Sequence, residues 1–138
     1  MPFGRIDATA ADPENRMPSE YGSGAETRAQ FAAAGYSTQE MIALAGSHTI
    51  GGKGFGEPYD FDNSYFVTLL KKPWSAPNAT KDELEMASHV GLASDKALAE
   101  DGPSVEWIRK YAEDQGLFFT DFAAAYVKMT MQGARFAA

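Results

Sequence analysis

The chain contains no cysteine, only 2 histidines and no long apolar run, and each shortage removes a class of chemistry. Without cysteine there is no disulfide framework, thiolate nucleophile, Cys-ligated zinc or iron–sulfur cluster. No apolar run approaches the roughly 20 residues that cross a bilayer, so no transmembrane segment is expected. Basic residues are few: 12 Lys and Arg against 19 Asp and Glu give a net charge of -7 and a pI near 4.7. Such a field repels phosphate backbones, so nucleic acid is not an expected partner. The start, Met1-Pro2-Phe3-Gly4-Arg5-Ile6-Asp7, lacks the basic-then-apolar pattern of a targeting segment.

What is present describes a folding sequence. Hydrophobic residues make up 44% and charged residues 22% of 138 positions, close to globular averages and enough for one core. Residues 1–24, rich in Pro, Gly, Asp, Glu and Ser, read as an extended lead-in that drapes over the rest, and residues 25–138 as a helical domain. Within that domain Ala25 to Ala34 are good helix formers stopped by Gly35. Ser37 or Thr38, with Glu40 completing a capping box, opens a helix through Met41, Ile42, Leu44 and Ala45. Gly51, Gly52, Gly54, Gly56 and Pro58 demand a loop. Asp60 or Asp62 then caps a stripe of Phe61, Tyr65, Phe66, Leu69 and Leu70 closed by Pro73. Thr80-Lys81-Asp82-Glu83 predicts a brief helix, Ser94 a cap for Asp95 to Glu100, and Ser104 a cap for Val105 up to Gly116. A last helix runs from Leu117 to Gln132 with Phe118, Phe122, Ala125, Tyr126 and Met129 along one side. No stretch shows the strict alternation of a half-buried strand, so the expected fold class is all-α, mainly helical with long loops.

Few residues carry candidate chemistry. His48 follows Met41, Leu44 and Ala45 at helical spacing, which projects its imidazole from the apolar face into the interior. A histidine there is more often a hydrogen-bonded core residue than a metal ligand. A ligand would need an acidic or carbonyl partner for its second nitrogen, and Asp95 could serve if the fold brings it near. Asp95 reads equally as a helix-capping or surface carboxylate. His89 lies in a polar loop and is expected to be solvated, and Trp74, in a Pro-flanked loop, is a candidate contact residue. The two histidines lack zinc-type spacing. The run Ser47 to Gly54 fails as a phosphate loop because Ser47 stands where Gly is needed and Gly54 where a hydroxyl should hold magnesium. Ser47 and His48, adjacent on a helix, point apart and make no nucleophile–base pair. Phe118, Phe119, Phe122 and Tyr126 read as core.

Met41-Ile42-Ala43-Leu44-Ala45-Gly46-Ser47-His48-Thr49-Ile50-Gly51 resembles the proximal helix of plant-type haem peroxidases. In the same order, Phe61-Asp62-Asn63-Ser64-Tyr65-Phe66 and Leu92-Ala93-Ser94-Asp95-Lys96-Ala97-Leu98 resemble later ascorbate-peroxidase blocks. Gly4-Arg5-Ile6-Asp7-Ala8, Tyr111-Ala112 and Phe118 to Ala123 extend the likeness over nearly the whole chain. The resemblance implies the proximal-domain half of the haem-peroxidase fold, with His48 as axial iron ligand and Asp95 as its hydrogen-bonded partner. Thr49 and Asp62 match part of the family's cation-binding loop and would be vestigial metal ligands.

Gly52-Lys53-Gly54-Phe55-Gly56 and Lys71-Lys72-Pro73-Trp74 look most like the thylakoid-lumen ascorbate-peroxidase-like branch, which is regarded as poorly active and associated with photosystem II. Two departures set further expectations. The family's loop Trp is missing from the shortened loop, whose aromatics are Phe55 and Tyr59. The distal Arg-Trp-x-x-His signature, which supplies the base and cation for peroxide cleavage, does not occur in this sequence. No catalytic residue is therefore assigned. The resulting expectation is a non-catalytic accessory subunit of a chloroplast thylakoid-lumen photosystem complex, with protein subunits as partners and haem b lost rather than kept. The alternatives are a haem peroxidase whose distal half lies outside this chain, and a haem-binding or redox-sensing module without turnover.

Overall fold

The computed structural model describes residues 4–14, 16–52, 54–71, 80–81 and 91–137. Over these residues the order is β1 (Arg5–Ile6), α1 (Gly24–Ala33), α2 (Thr38–Ala45), a 3-10 turn (Gly46–Thr49), α3 (Ser64–Leu69), α4 (Ala93–Leu98), α5 (Gly102–Glu113), α6 (Gln115–Met131) and β2 (Arg135–Phe136). The mainly helical class holds. Of the helix foreseen at Thr80-Lys81-Asp82-Glu83, positions 82 and 83 lie outside the described residues, as do Lys53, Trp74 and His89.

The helix starts show why these segments fold locally. Ser23 with Glu26, and Ser37 with Glu40, form reciprocal capping boxes that satisfy the first amides of α1 and α2. Asp114 caps α6 through Leu117 N–H at 2.9 Å. Three predicted caps move. Ser104 sits inside α5, and the cap is Asp101, whose Oδ2 accepts from the Ser104 amide and hydroxyl. Ser94 likewise falls inside α4, where Leu92 is the capping position and the Asp95 carboxylate accepts the Leu92 N–H. At α3 the capping position is Asn63, whose side chain reaches α5 instead, while Asp62 accepts the Ser64 amide from one residue further out. In each case a carboxylate accepts the amide at the helix start.

Strands were not expected, yet β1 pairs antiparallel with β2, Arg5 opposite Phe136 and Ile6 opposite Arg135. Two-residue strands are too short to leave an alternation in the sequence. The pairing, with the Ala137 amide donating to the Gly4 carbonyl at 2.8 Å, fastens the lead-in to the C-terminal end. Further along, the Ser94 amide donates to the Glu20 carbonyl at 2.9 Å, which lays the lead-in against α4.

Helix α2 is the central element. It packs on α5 and α6, while α3 packs on α5 and α1 on α4. The core between them holds Met41, Ile42, Tyr65, Phe66, Leu69, Ile108, Tyr111 and Phe118, all fully buried. Phe118 is core as expected and Phe122 packs against it, but Phe119 and Tyr126 are exposed on the outer side of α6. Asn63 Nδ2 donates to the carbonyls of Tyr111 and Ala112, both at 3.0 Å, closing open acceptors near the end of α5. That bond fixes where α3 begins.

Asp101 joins two parts of the molecule. Arg28 of α1 donates to both its oxygens at 3.1 Å, and this hydrogen-bonded guanidinium holds the carboxyl below its ordinary 3.8. Asp101→Ala should destabilise the chain by about 1–2 kcal/mol near neutrality, from the lost cap and a partly exposed ion pair. Because the folded pKa is lowered, the stabilisation is present above the unfolded value and is lost as pH falls through the folded one. Urea denaturation should therefore show the full wild-type advantage at about pH 5 and a shrinking one below 3.8. A gap that stayed constant through that range would contradict the assignment.

Candidate functional site

Four separate segments converge beside the end of α2. The helix tightens into the 3-10 turn at Gly46, which carries His48. A side chain at position 46 would meet Phe118 at 2.5 Å and Phe66 at 2.7 Å, so glycine lets the turn lie directly on the core. The expected inward projection of His48 from the helix is corrected here. The 3-10 geometry turns the residue off the α2 face, and its side chain keeps 40% of its exposure.

His48 Nδ1 lies 2.9 Å from Asp95 Oδ1. A carboxylate only accepts, so the proton sits on Nδ1 and a metal would be bound through the Nε2 lone pair. Asp95 is 2% exposed and held from three directions. The Leu92 amide donates to Oδ2 at 2.8 Å, while the Tyr65 hydroxyl on α3 donates to Oδ1 at 2.9 Å, the same oxygen that takes His48. Burial, then the charge of Asp95, then this hydrogen bond push the Tyr65 phenol well above its usual range, so it remains a donor. Phe55 closes the far side, with its ring centroid 4.7 Å from that of Tyr65. Gly91, at φ 70°, makes room for it, since a side chain there would meet the Phe55 ring at 2.6 Å.

Thr49 and Asp62 also come together. The Thr49 hydroxyl donates to Asp62 Oδ1 at 2.7 Å, and Ser64 donates to the same carboxylate through its amide and hydroxyl at 2.9 and 2.8 Å. Burial raises the Asp62 carboxyl, but these donors outweigh it and leave the group below its ordinary value. The pair staples the 3-10 turn to the start of α3.

The structure thus unites His48 with Asp95 and Thr49 with Asp62. Tyr65 and Phe55 had no assigned role in the sequence. The signal for Tyr65 was its phenol on a stripe where Phe would pack as well, since a buried O–H needs a partner. For Phe55 the glycine-rich run gives no periodicity to read.

The donor set suits a particular kind of metal centre. Among the described residues no group of three or more His, Cys, Asp or Glu could hold an ion. A single imidazole with Nδ1–H anchored on a buried carboxylate would serve as the one protein ligand to an iron whose other ligands a porphyrin supplies. Haem therefore fits these residues.

Comparison with known proteins agrees. The peroxidase family model matches residues 1–114. The chain belongs to the peroxidase family. A relative from Arabidopsis thaliana, "Putative L-ascorbate peroxidase 6", is 46% identical over 96% of this chain and 39% of its own length. "Cytochrome c peroxidase, mitochondrial" of Pyricularia oryzae is 36% identical over 95% of this chain and 40% of its own. "Probable L-ascorbate peroxidase 3, peroxisomal" of Oryza sativa subsp. japonica is 31% identical over 94% and 44%. This peroxidase segment thus spans about two fifths of the length of the first two relatives. It is in the plant-type haem branch that these relatives represent, and haem b is the cofactor implied by the family.

Proposed function

We propose that this chain supplies the proximal side of a haem peroxidase centre, with His48 as the axial iron ligand through Nε2. The observation that carries the reading is the 2.9 Å bond from His48 Nδ1–H to the buried Asp95 carboxylate. That bond fixes the tautomer, orients the ring and raises the basicity of Nε2. Bound haem supplies the redox iron for hydrogen peroxide reduction. The residues on this side hold and tune the ligand but do not move the peroxide proton. The Arg-Trp-x-x-His signature that would do so is not in these 138 residues. The chain spans only 39–49% of its relatives' length, so that absence does not weigh against activity of a longer assembly.

Titrating the purified chain with ferric haem tests the reading. A Soret band with histidine ligation is expected, and His48→Ala should weaken binding at least about tenfold, the lower end of what losing even an outer ligand partner costs. Binding unaffected by that substitution would overturn the assignment. The second reading is a non-catalytic accessory subunit of a thylakoid photosystem complex, kept for its fold alone. It is favoured by loop 51–60, which has Phe55 and Tyr59 but no tryptophan, and it expects no Soret band.

A further inference from the structure

The hydroxyl of Tyr65 is a polar group that the binding of haem does not by itself call for. Its ring is fully buried between Phe55, 4.7 Å away, and Phe66, 5.0 Å away, and stands edge-on to His48 at 6.0 Å. Phenylalanine would make the same ring contacts. The oxygen that the hydroxyl reaches is Asp95 Oδ1, already the acceptor for His48. A carboxylate oxygen has two lone-pair directions, and the two donors, both at 2.9 Å, fill them.

We propose that Tyr65 is a positioning residue that sets the donor strength of the axial imidazole by competing with His48 for Asp95 Oδ1. The inference rests on His48 being the axial ligand. Charge that Oδ1 shares with the Tyr65 hydroxyl is withheld from the Nδ1–H bond, so the imidazole keeps less imidazolate character and favours the ferric state less strongly. Oδ2 is turned to the Leu92 amide, which donates to it at 2.8 Å, while both side-chain donors meet at Oδ1. Tyr65 therefore sets the reduction potential from a position that does not touch the iron.

The test compares wild type with Tyr65→Phe in the full chain, by two readouts. In the haem-free protein the His48 Nδ1–H proton resonance should move downfield in the variant, because Oδ1 then serves one donor. After reconstitution the potential should fall, raising the ferric-to-ferrous ratio at a fixed poise about three- to tenfold, or about 30–60 mV at 59 mV per tenfold for one electron. Placing 3-fluorotyrosine at position 65 keeps the ring and strengthens the donor, so it should move the potential the opposite way even if the Phe variant folds poorly. A Soret band with unchanged potential in both variants overturns this inference alone. No Soret band in wild type overturns it together with the axial-ligand reading.

Discussion

Asp95→Ala is expected to weaken haem binding about 10–100-fold, the usual cost of removing a ligand's hydrogen-bonded partner. The same substitution should lower the stability of the haem-free chain by about 2–4 kcal/mol. Both effects come from one carboxylate that serves three donors: His48 Nδ1–H, the Tyr65 hydroxyl and the Leu92 amide. Each buried donor left without an acceptor costs about 1–3 kcal/mol, and water reaching the half-exposed His48 side recovers part of the total. Asp95→Asn separates the two effects. Its volume is unchanged and its carbonyl can still accept from His48, but its amide then faces the Leu92 N–H, donor against donor. Stability should therefore fall with the tautomer kept, and haem affinity should fall less than in the Ala variant. Urea denaturation and haem titration of the same preparations measure the two quantities. If Asp95→Ala bound haem as tightly as wild type, the carboxylate would have no part in holding the ligand.

This coupling explains which parts of the site the sequence reveals. The capping box at Ser37 and Glu40 and the apolar spacing of α2 are local signals, and they place His48 just past the end of a buried helix. The direction of its ring was misread because the apolar spacing of α2 was carried on to His48, whereas the helix tightens to 3-10 at Gly46, where the backbone lies against Phe118 and Phe66 from other parts of the chain. Asp95, 47 positions away, could be named from ligand chemistry as a possible partner, and resemblance to a family in which the two occur together turned that possibility into an expected pair. Tyr65 was hidden for a simpler reason. On a stripe of Phe61, Phe66 and Leu69 it looks like packing, and a single hydroxyl does not change the period. The misplaced caps have the same origin: a serine, an asparagine or a carboxylate within three residues of a helix start can each fill the role, and tertiary contacts such as Arg28 with Asp101 select among them.

Phe118→Ala should be the most destabilising single change in the core, at about 3–5 kcal/mol. The ring is fully buried on α6 and lies within 6 Å, centroid to centroid, of Phe61, Phe66, Tyr111, Phe119 and Phe122, so no one neighbour can move in to fill its space. It also forms the floor under Gly46. Gly46→Ala drives a methyl to 2.5 Å from Phe118 Cε2 and 2.7 Å from Phe66 Cζ, so the turn or one of these two fully buried rings must shift. That overpacking should cost about 1–3 kcal/mol. The two changes are opposite in volume at one contact, so the double variant should be more stable than the sum of the singles predicts by about 0.5–3 kcal/mol. Strict additivity in urea denaturation of the four proteins would show that the turn does not rest on Phe118. The contact also links packing to the proposed chemistry. Gly46 opens the turn that carries His48, and lifting that turn off the core moves Nδ1 relative to an Asp95 held by α4 and α3. Gly46→Ala should consequently weaken haem binding as well as stability, and adding Phe118→Ala should return part of the haem affinity while the chain still folds. Recovery of affinity on removal of a large core side chain is a result that a purely local view of the iron site does not anticipate.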